Sequence, residues 1–152
     1  MATIIDFNPT NRSAIKTLNI EWLEKHFSVE PLDLIQLSDP ENEIILKGGH
    51  IYYAKMNNAI AGTATLLKID EFTFELGKMA VTENAQGNGI GNKLIEHCLQ
   101  KAKELGAKKV ILFSNTKLIP AINLYKKYGF KECEFNNSHY KRSNIKMELC
   151  LT

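Results

Sequence analysis

Hydrophobic positions along the chain follow two periods, and each period predicts a different kind of element. Runs in which apolar residues alternate with polar ones, or stand together over a short stretch, are typical of β-strands. Such runs cover residues 3–7, 50–56, 59–69, 72–81, 108–114, 131–135 and 145–151. Apolar residues at helical spacing predict helices within residues 8–27, 29–41, 90–105 and 119–128.

Residues at the ends of these segments support the assignment. Asn8-Pro9 fits the cap and first position of the first helix, and Asp39-Pro40 fits the end of the second. Gly106 is expected to stop the third helix. Asn57-Asn58 lies between two predicted strands, and asparagine tolerates the positive φ that a tight hairpin turn requires.

The two later helices each carry one apolar stripe, which indicates helices that pack one face against a sheet. The stripe of the third helix contains Ile90, Leu94, Cys98, Ala102 and Leu105. The stripe of the fourth helix contains Ala121, Leu124, Tyr125 and Tyr128.

The order of these elements is strand, helices, a three-strand meander, helix, strand, helix and a final hairpin. This order predicts an α/β (α+β) fold with a mixed sheet rather than a repeating βαβ array. A chain of 152 residues fits a single domain, over residues 1–152. A domain of this size buries roughly 70% of its unfolded surface and needs no disulfide or metal to fold.

Composition narrows the classes of function. The net charge of +2 is too small to favour nucleic acid or a membrane surface as the main partner. No apolar run is long enough to span a membrane, and the first residues lack the pattern of a signal peptide. The three cysteines are far apart and form no CxxC pair, which is typical of reduced thiols in a cytoplasmic protein.

A cluster of glycines at Gly87, Gly89 and Gly91 separates a predicted strand from a predicted helix. The free N–H groups and the dipole at a helix N-terminus favour an anion, and glycines let the backbone approach a phosphate closely. A dinucleotide-binding fingerprint would need a glycine at position 92, which is Asn92. A P-loop would need Ser or Thr after Lys93, where the chain has leucine.

Two motifs resemble those of the GNAT superfamily of acyl-CoA-dependent N-acetyltransferases. The first is Gln86-x-x-Gly89-x-Gly91, directly after the predicted fourth strand. The second is AINLYKKYGF, residues 121–130, which is similar to the family's Ala-x-x-Leu-Tyr-x-x-x-Gly-Phe helix. The resemblance extends over most of the chain and is weakest over residues 1–45. It implies a mostly antiparallel central sheet of about seven strands, flanked by about four helices.

The resemblance also implies a binding mode for acetyl-CoA, without metal. The backbone amides of the glycine-rich segment would hold the pyrophosphate, and the pantetheine arm would lie along the fourth strand. Asn88 stands where the family often has a basic residue, and Leu118 stands where it often has asparagine. Cofactor contacts are therefore expected from Met79, Ala80, Val81, Gln86, Gly87, Asn88, Gly89, Ile90 and Gly91, with Asn115 and Asn123 as further candidates.

Two side chains are candidates for proton transfer. Tyr125 occupies the position of the family's tyrosine, which would protonate the departing thiolate, although its helical spacing alone favours a core residue. Glu75 lies on an apolar strand, where a carboxylate is unexpected unless it is paired or functional. It is either the base that deprotonates the amine or one half of a salt bridge to a lysine on a neighbouring strand. The backbone N–H near Met79 would stabilise the oxyanion.

The acceptor amine is expected near the first helices and the loop at residues 135–143. Carboxylates beside an aromatic residue suit a cationic amine, although a solvated acidic helix face has the same composition. The segment at residues 139–143, HYKRS, fits either a solvated loop or a basic patch. The acceptor candidates are Glu21, Trp22 and Glu30, with Glu24 and Asp33 nearby.

The sequence thus predicts a cytoplasmic enzyme that acetylates a primary amine of a small molecule or peptide by direct attack. A homodimer is compatible with this prediction. An alternative is a binding module that keeps the acyl-CoA cleft but acts as a sensor or partner subunit without turnover. A second alternative is a nucleotide-binding phosphotransferase.

Overall fold

The computed structural model describes residues 1–151, and its central element is one mixed sheet. The strands are β1 (Thr3–Asp6), β2 (His50–Met56), β3 (Ala59–Asp70), β4 (Thr73–Val81), β5 (Lys109–Ser114), β6 (Lys131–Cys133) and β7 (Ile145–Cys150). The α-helices are α1 (Ala14–His26), α2 (Pro31–Ser38), α3 (Ile90–Glu104) and α4 (Ile119–Lys127). Shorter turns are the 3₁₀ segments Pro9–Asn11 and Glu83–Ala85 and the π-helical turn Glu41–Ile45.

The sheet has the order β1-β2-β3-β4-β5-β7-β6, and every neighbouring pair within residues 1–151 is antiparallel except β4 and β5. This arrangement confirms the predicted mixed, mostly antiparallel seven-stranded sheet. The hairpin between β2 and β3 turns at Asn57 and Asn58, whose φ angles are 54° and 63°. Both residues therefore adopt the left-handed conformation that the sequence predicted.

Two apolar cores lie on opposite faces of the sheet. The larger core lies between the sheet and α3, and it includes the fully buried Leu94 and Cys98. Gly62 on β3 permits this contact, because a Cβ there would lie 2.9 Å from Cγ2 of Ile90. The smaller core joins Ile15 of α1 and Leu37 of α2 to β2.

Three details differ from the predicted elements. Asn8 caps only the 3₁₀ turn Pro9–Asn11, because its side chain accepts the N–H groups of that turn, and α1 starts afresh at Ala14. Leu105 lies just beyond the end of α3 and is 45% exposed, so it leaves the apolar stripe. The π-helical turn Glu41–Ile45, after Asp39-Pro40, was not predicted, because the sequence pattern indicated no element between residue 41 and the strand at residue 50.

Candidate active site

A cleft opens in the sheet where β4 and β5 separate. Within residues 1–151 the two strands pair only from Thr73–Lys109 to Glu75–Ile111, and they diverge beyond that point. A cavity of about 170 Å³ fills the gap. Its walls come from α1, β3, β4, the end of β5, α4 and residues 140–143. The edge of β4 that faces this cavity is therefore free to pair with an extended ligand.

A β-bulge in β4 shapes one wall of the cleft. Thr63 pairs with Ala80 and Thr65 pairs with Gly77. Two residues of β4, Lys78 and Met79, therefore lie opposite one residue of β3, Ala64. The extra residue, Lys78, has a φ of 50°, which is unusual for a residue other than glycine. Its carbonyl accepts a hydrogen bond from the side chain of Asn19 on α1, at 3.2 Å.

The bulge redirects the side chain of Lys78. Strand alternation alone would place Lys78 beside Leu76 and Ala80, which lie in the larger apolar core. Instead Lys78 shares the wall of the cavity with Glu75. The bulge therefore keeps this charge out of the apolar core and lets it meet Asp33 and Tyr140.

Glu75 lines the cavity from the last position at which β4 pairs with β5. Its side chain is only 8% exposed. No residue within 1–151 forms a salt bridge or a hydrogen bond with its carboxyl group. Burial raises the pKa of Glu75 to about 7, although the charge of Lys78 opposes the rise. The carboxyl group can thus gain or lose a proton near neutral pH, as a general base must.

Tyr125, on α4, lines the same cavity. Its ring packs edge-on against Phe130 with the centroids 6.0 Å apart. Its hydroxyl group has no hydrogen-bond partner among the described residues, so it is free to donate to a ligand. Burial raises the pKa of Tyr125 to about 12, so the hydroxyl keeps its proton at neutral pH. Tyr125 is thus both a core residue and a cavity residue.

The glycine loop, Gln86–Gly91, connects β4 to α3 at the far end of the cleft. Gly87 and Gly89 have φ angles of 85° and 74°, and a Cβ at either would meet nothing within 4 Å. Glycine is therefore required for the backbone conformation and not for space. Residues 86–89 are exposed, and Gly89 caps α3 in the left-handed conformation.

The backbone amides at the start of α3 lie where the sequence predicts an anion site, and that site stays a prediction. Within residues 1–151 no group accepts a hydrogen bond from the first N–H groups of α3, at Ile90 and Gly91. The side chains of Gln86 and Asn88 turn inward, donating to the carbonyls of Val81 at 3.2 Å and Ala85 at 2.9 Å. These side chains brace the loop. The N–H of Gln86 donates to the carbonyl of Glu83 at 3.3 Å, whereas the amides of Ile90 and Gly91 remain open to a ligand.

A buried ion network, formed by Glu30, Asp33, Lys78 and Arg142, lies at the other end of the cleft. Asp33 is fully buried, and its oxygens lie 3.1 Å from Nζ of Lys78 and 2.8 and 2.9 Å from the two terminal nitrogens of Arg142. Burial by itself would raise the pKa of Asp33, but the hydrogen bonds from Arg142 and the Glu30 N–H, with the charge of Lys78, hold that pKa below its ordinary value.

Glu30 and Tyr140 complete the ion network. Glu30 accepts the backbone N–H of Lys141 at 2.9 Å and lies 3.3 Å from Arg142. The hydroxyl of Tyr140 accepts from Lys78 at 2.7 Å and donates to Gln36 at 2.6 Å. The loop at residues 134–144 is therefore tied to α2 and to the bulge of β4. Residues 139–143 are a structural strap at the cleft and not a free basic patch.

The remaining predicted site residues divide between the cavity and its surroundings. Trp22 and Asn115 line the cavity. The side chain of Asn115 is already engaged, donating to the carbonyl of Arg142 and accepting the N–H of Lys117. Asn123 is exposed on α4 and does not line the cavity. Glu21 accepts the hydroxyl of Thr82 outside the cavity.

Sequence reasoning missed the ion network as a unit. Asp33 and Glu30 were candidates for binding an amine, yet both bind cations of the chain itself. The signal was Lys78 inside an apolar strand, three residues after Glu75, because a buried lysine requires a partner. The pairing itself depends on a bulge and a distant loop, which a local pattern does not indicate.

No helix within residues 1–151 is both long and apolar enough to cross a membrane. In the same residues, no group of three or more histidine, cysteine or acidic side chains is arranged to hold a metal ion.

Known proteins share the family and the fold of this chain. Residues 13–130 match the family described as "Acetyltransferase (GNAT) family". The N-acetyltransferase YvbK of Bacillus subtilis (strain 168) is 34% identical over 120 residues, which is 77% of each chain. An acetyltransferase of the GNAT family from Staphylococcus aureus has the same fold, with a TM-score of 0.89 at 22% identity over 100% of both chains.

A further neighbour in structure was solved with a ligand. The protein yncA from Salmonella typhimurium, whose structure contains its cofactor acetyl-CoA, has a TM-score of 0.77 at 20% identity. The alignment covers 100% of the present chain and 95% of that protein. At this identity the likeness establishes a shared fold.

Proposed function

The chain belongs to the GNAT family of acetyltransferases, and we propose that it transfers an acetyl group from acetyl-CoA to a primary amine of a small molecule or peptide by direct attack. The observation that carries the proposal is the shared cavity that Glu75 lines from β4 and Tyr125 lines from α4. A base and an acid that line one cleft suit acyl transfer.

Acetyl-CoA fits the cleft at two places. The amides at Ile90 and Gly91, which have no acceptor within residues 1–151, and the left-handed glycines before them suit the pyrophosphate group. The free edge of β4 from Leu76 onward suits the extended pantetheine arm, which has amide groups of its own. Bound acetyl-CoA would supply the activated acetyl thioester between Glu75 and Tyr125.

The residues then have separate tasks in proton transfer. Glu75 takes a proton from the acceptor ammonium, because an alkylammonium with a pKa of about 10.4 is unreactive until it is deprotonated. The freed nitrogen forms the new bond to the acetyl carbon, and the backbone N–H near Met79 stabilises the charge on the carbonyl oxygen. As the carbon–sulfur bond breaks, Tyr125 donates its proton to the departing sulfur, and the second proton released by the new amide nitrogen restores the Tyr125 hydroxyl.

Acetylation of a pooled panel of amines, read by mass spectrometry, tests this proposal. We expect one or more amines to gain an acetyl group from acetyl-CoA. Tyr125→Phe and Glu75→Gln should each lower kcat by about 10²- to 10⁴-fold. Tyr128→Phe on the same helix is the matched control, because its hydroxyl bonds to Glu96 outside the cavity, and Glu132→Gln on β6 is the control for Glu75.

Two outcomes favour the alternatives. A protein that binds acetyl-CoA but acetylates no amine would act as a sensor or partner domain. A larger rise in unfolding temperature with ATP than with acetyl-CoA would favour a nucleotide-binding phosphotransferase, because a ligand stabilises according to its affinity and concentration. Unchanged turnover in both Tyr125→Phe and Glu75→Gln would remove the catalytic assignments.

A further inference from the structure

The acceptor end of the cleft is the part next to Glu75, away from the glycine loop. Its apolar wall comes from Trp22, Leu23 and Phe27 at the end of α1 and from Leu67, the cross-strand partner of Glu75. The rings of Trp22 and Phe27 lie 5.7 Å apart, centroid to centroid. A flat apolar group that enters beside Glu75 would therefore contact aromatic and aliphatic carbon.

The charged wall of this end is already neutralised from within the chain. Lys78 and Arg142 supply two positive charges, and Asp33 and Glu30 supply two negative ones. Each oxygen of Asp33 accepts two hydrogen bonds. Oδ1 accepts from Lys78 and Arg142, and Oδ2 accepts from Arg142 and from the backbone N–H of Glu30. No carboxylate of the network has an oxygen without a donor.

The two cations of the network are equally committed. Arg142 is 17% exposed and forms a two-point contact with Asp33, while Lys78 is 4% exposed and bonds to Asp33 and Tyr140. The four charges of the network already balance, so a carboxylate on the acceptor would enter the cleft with no net positive charge to compensate for its loss of hydration. Burying a charge without such compensation is strongly unfavourable.

Glu75 is then the one ionisable group of this wall, within residues 1–151, that lacks an internal partner. We infer that the acceptor is a monoamine with an apolar, uncharged body, and that the ion network of Glu30, Asp33, Lys78 and Arg142 determines specificity by excluding acceptors with a second charge. This inference rests on the proposed acetyltransferase function. It predicts that the acceptor has one ammonium group, which binds to the carboxyl group of Glu75.

A matched series of acceptors tests the inference. 2-Phenylethylamine has an amine and an aromatic body, L-phenylalanine adds a carboxylate, and L-phenylalaninamide replaces that carboxylate by a neutral amide. We expect kcat/KM for the first and third to agree within about tenfold, and that for phenylalanine to be at least about 100-fold lower, a difference of about 2.8 kcal/mol. The dication of 1,4-diaminobutane should be a comparably poor acceptor, since Asp33 and Glu30 have no free oxygen for it.

A variant tests the role of the ion network. Glu30→Gln removes one negative charge, so we expect the ratio of kcat/KM for phenylalanine to that for 2-phenylethylamine to rise at least about tenfold. Glu132→Gln on β6, outside the cavity, should leave that ratio unchanged. A ratio that does not move in Glu30→Gln would overturn the role of the network, even if the acceptor preference holds.

Failure of the inference and failure of the proposed function give different results. Phenylalanine or the diamine acetylated as well as 2-phenylethylamine would overturn the inference while leaving the acetyltransferase function intact. The inference would also be overturned if acetyl-CoA binds, as measured by calorimetry, but no acetyl group is transferred to 2-phenylethylamine or L-phenylalaninamide. Absence of acetyl-CoA binding would overturn the proposed function itself. The acceptor series uses the wild-type protein, so it stands even if Glu30→Gln fails to fold.

Discussion

The two ends of the cleft are built from different parts of the polypeptide. At one end, the glycine loop presents backbone amides from consecutive residues, with two glycines in left-handed conformations. At the other end, the ion network joins Asp33 to Lys78 and Arg142, which lie 45 and 109 positions away along the chain. The backbone site depends on local conformation, whereas the side-chain site depends on the tertiary fold.

This difference determines what each end tolerates. Most side chains of the glycine loop are exposed, so substitutions there should act through backbone strain or ligand affinity. The ion network is buried, so loss of one member leaves its partners charged and unpaired.

Loss of Asp33 should be the most damaging change at the acceptor end. Asp33→Asn leaves two buried cations with half their compensation, so we expect a loss of about 3–5 kcal/mol in the free energy of unfolding. Urea unfolding at neutral pH measures this loss. The exposed pair of Arg12 and Glu41 is the comparison, and Glu41→Gln should cost less than about 1 kcal/mol. Equal effects of the two substitutions would contradict a special role for the buried network.

Glu75→Gln should stabilise the fold while it impairs catalysis. The pKa of Glu75 in the folded protein is about 7, above its ordinary value of 4.5, so the folded state binds this proton more tightly than the unfolded state. The stability associated with Glu75 is therefore present at low pH and is lost as pH rises toward and past about 7. At about pH 8 we expect the variant to exceed wild type by about 3 kcal/mol.

Urea unfolding across pH tests the effect of Glu75. The advantage of Glu75→Gln should be small near about pH 4.5 and should grow between there and about pH 8, because only wild type must ionise a buried group. An advantage that is constant with pH would contradict the raised pKa. In wild type, kcat should fall as pH drops below about 7, since a protonated Glu75 cannot act as a base.

Two alanine substitutions separate conformation from space in the glycine loop. Gly89→Ala forces a side chain into a left-handed conformation, so we expect a loss of about 1–2 kcal/mol in stability and weaker binding of CoA. Gly91→Ala is the matched control, because a Cβ there would sit 3.6 Å from Leu124 in ordinary contact. Thermal unfolding and calorimetry measure both effects. If Gly91→Ala proved as damaging as Gly89→Ala, space rather than backbone conformation would be the requirement.

The smallest expected effect is a gain at Asn88. Asn88→Lys would add a positive charge beside the glycine loop and remove the brace to the Ala85 carbonyl. Because a surface charge near a helix N-terminal anion contributes about 0.3–1 kcal/mol, we expect CoA to bind up to about fivefold more tightly at low salt. The gain should vanish at high salt. A gain that persists at high salt would indicate a contact other than charge attraction.

Sequence patterns predicted the local features of this protein well. The strand before the glycines, the left-handed turn at Asn57-Asn58 and the start of α3 each depend on neighbouring residues, so a pattern in the chain is enough to indicate them. Glu75 and Tyr125 were also indicated, the first by a charge in an apolar strand and the second by a motif. The structure brings both into one cavity.

Features that depend on tertiary contacts were harder to predict. Gly77 stands directly before the bulge at Lys78, but a lone glycine in a strand does not indicate which residue is extra, and the conformation of the bulge is held by Asn19 from another element. Arg142 lies in a segment that resembles a solvated loop, yet its guanidinium meets Asp33. Asn115 has a polar side chain that suits a ligand contact, but its amide group already donates to Arg142 and accepts from Lys117 within the chain.

Hydrogen exchange of the backbone amides, with and without CoA, tests the division of the cleft most directly. CoA has no acetyl group to transfer, so it reports binding alone. We predict slower exchange at residues 86–91 and along Met79–Val81, with little change in the loop at residues 134–144. Protection confined to other segments, such as β1 and β2, with none in the glycine loop would contradict the assignment of the cofactor end.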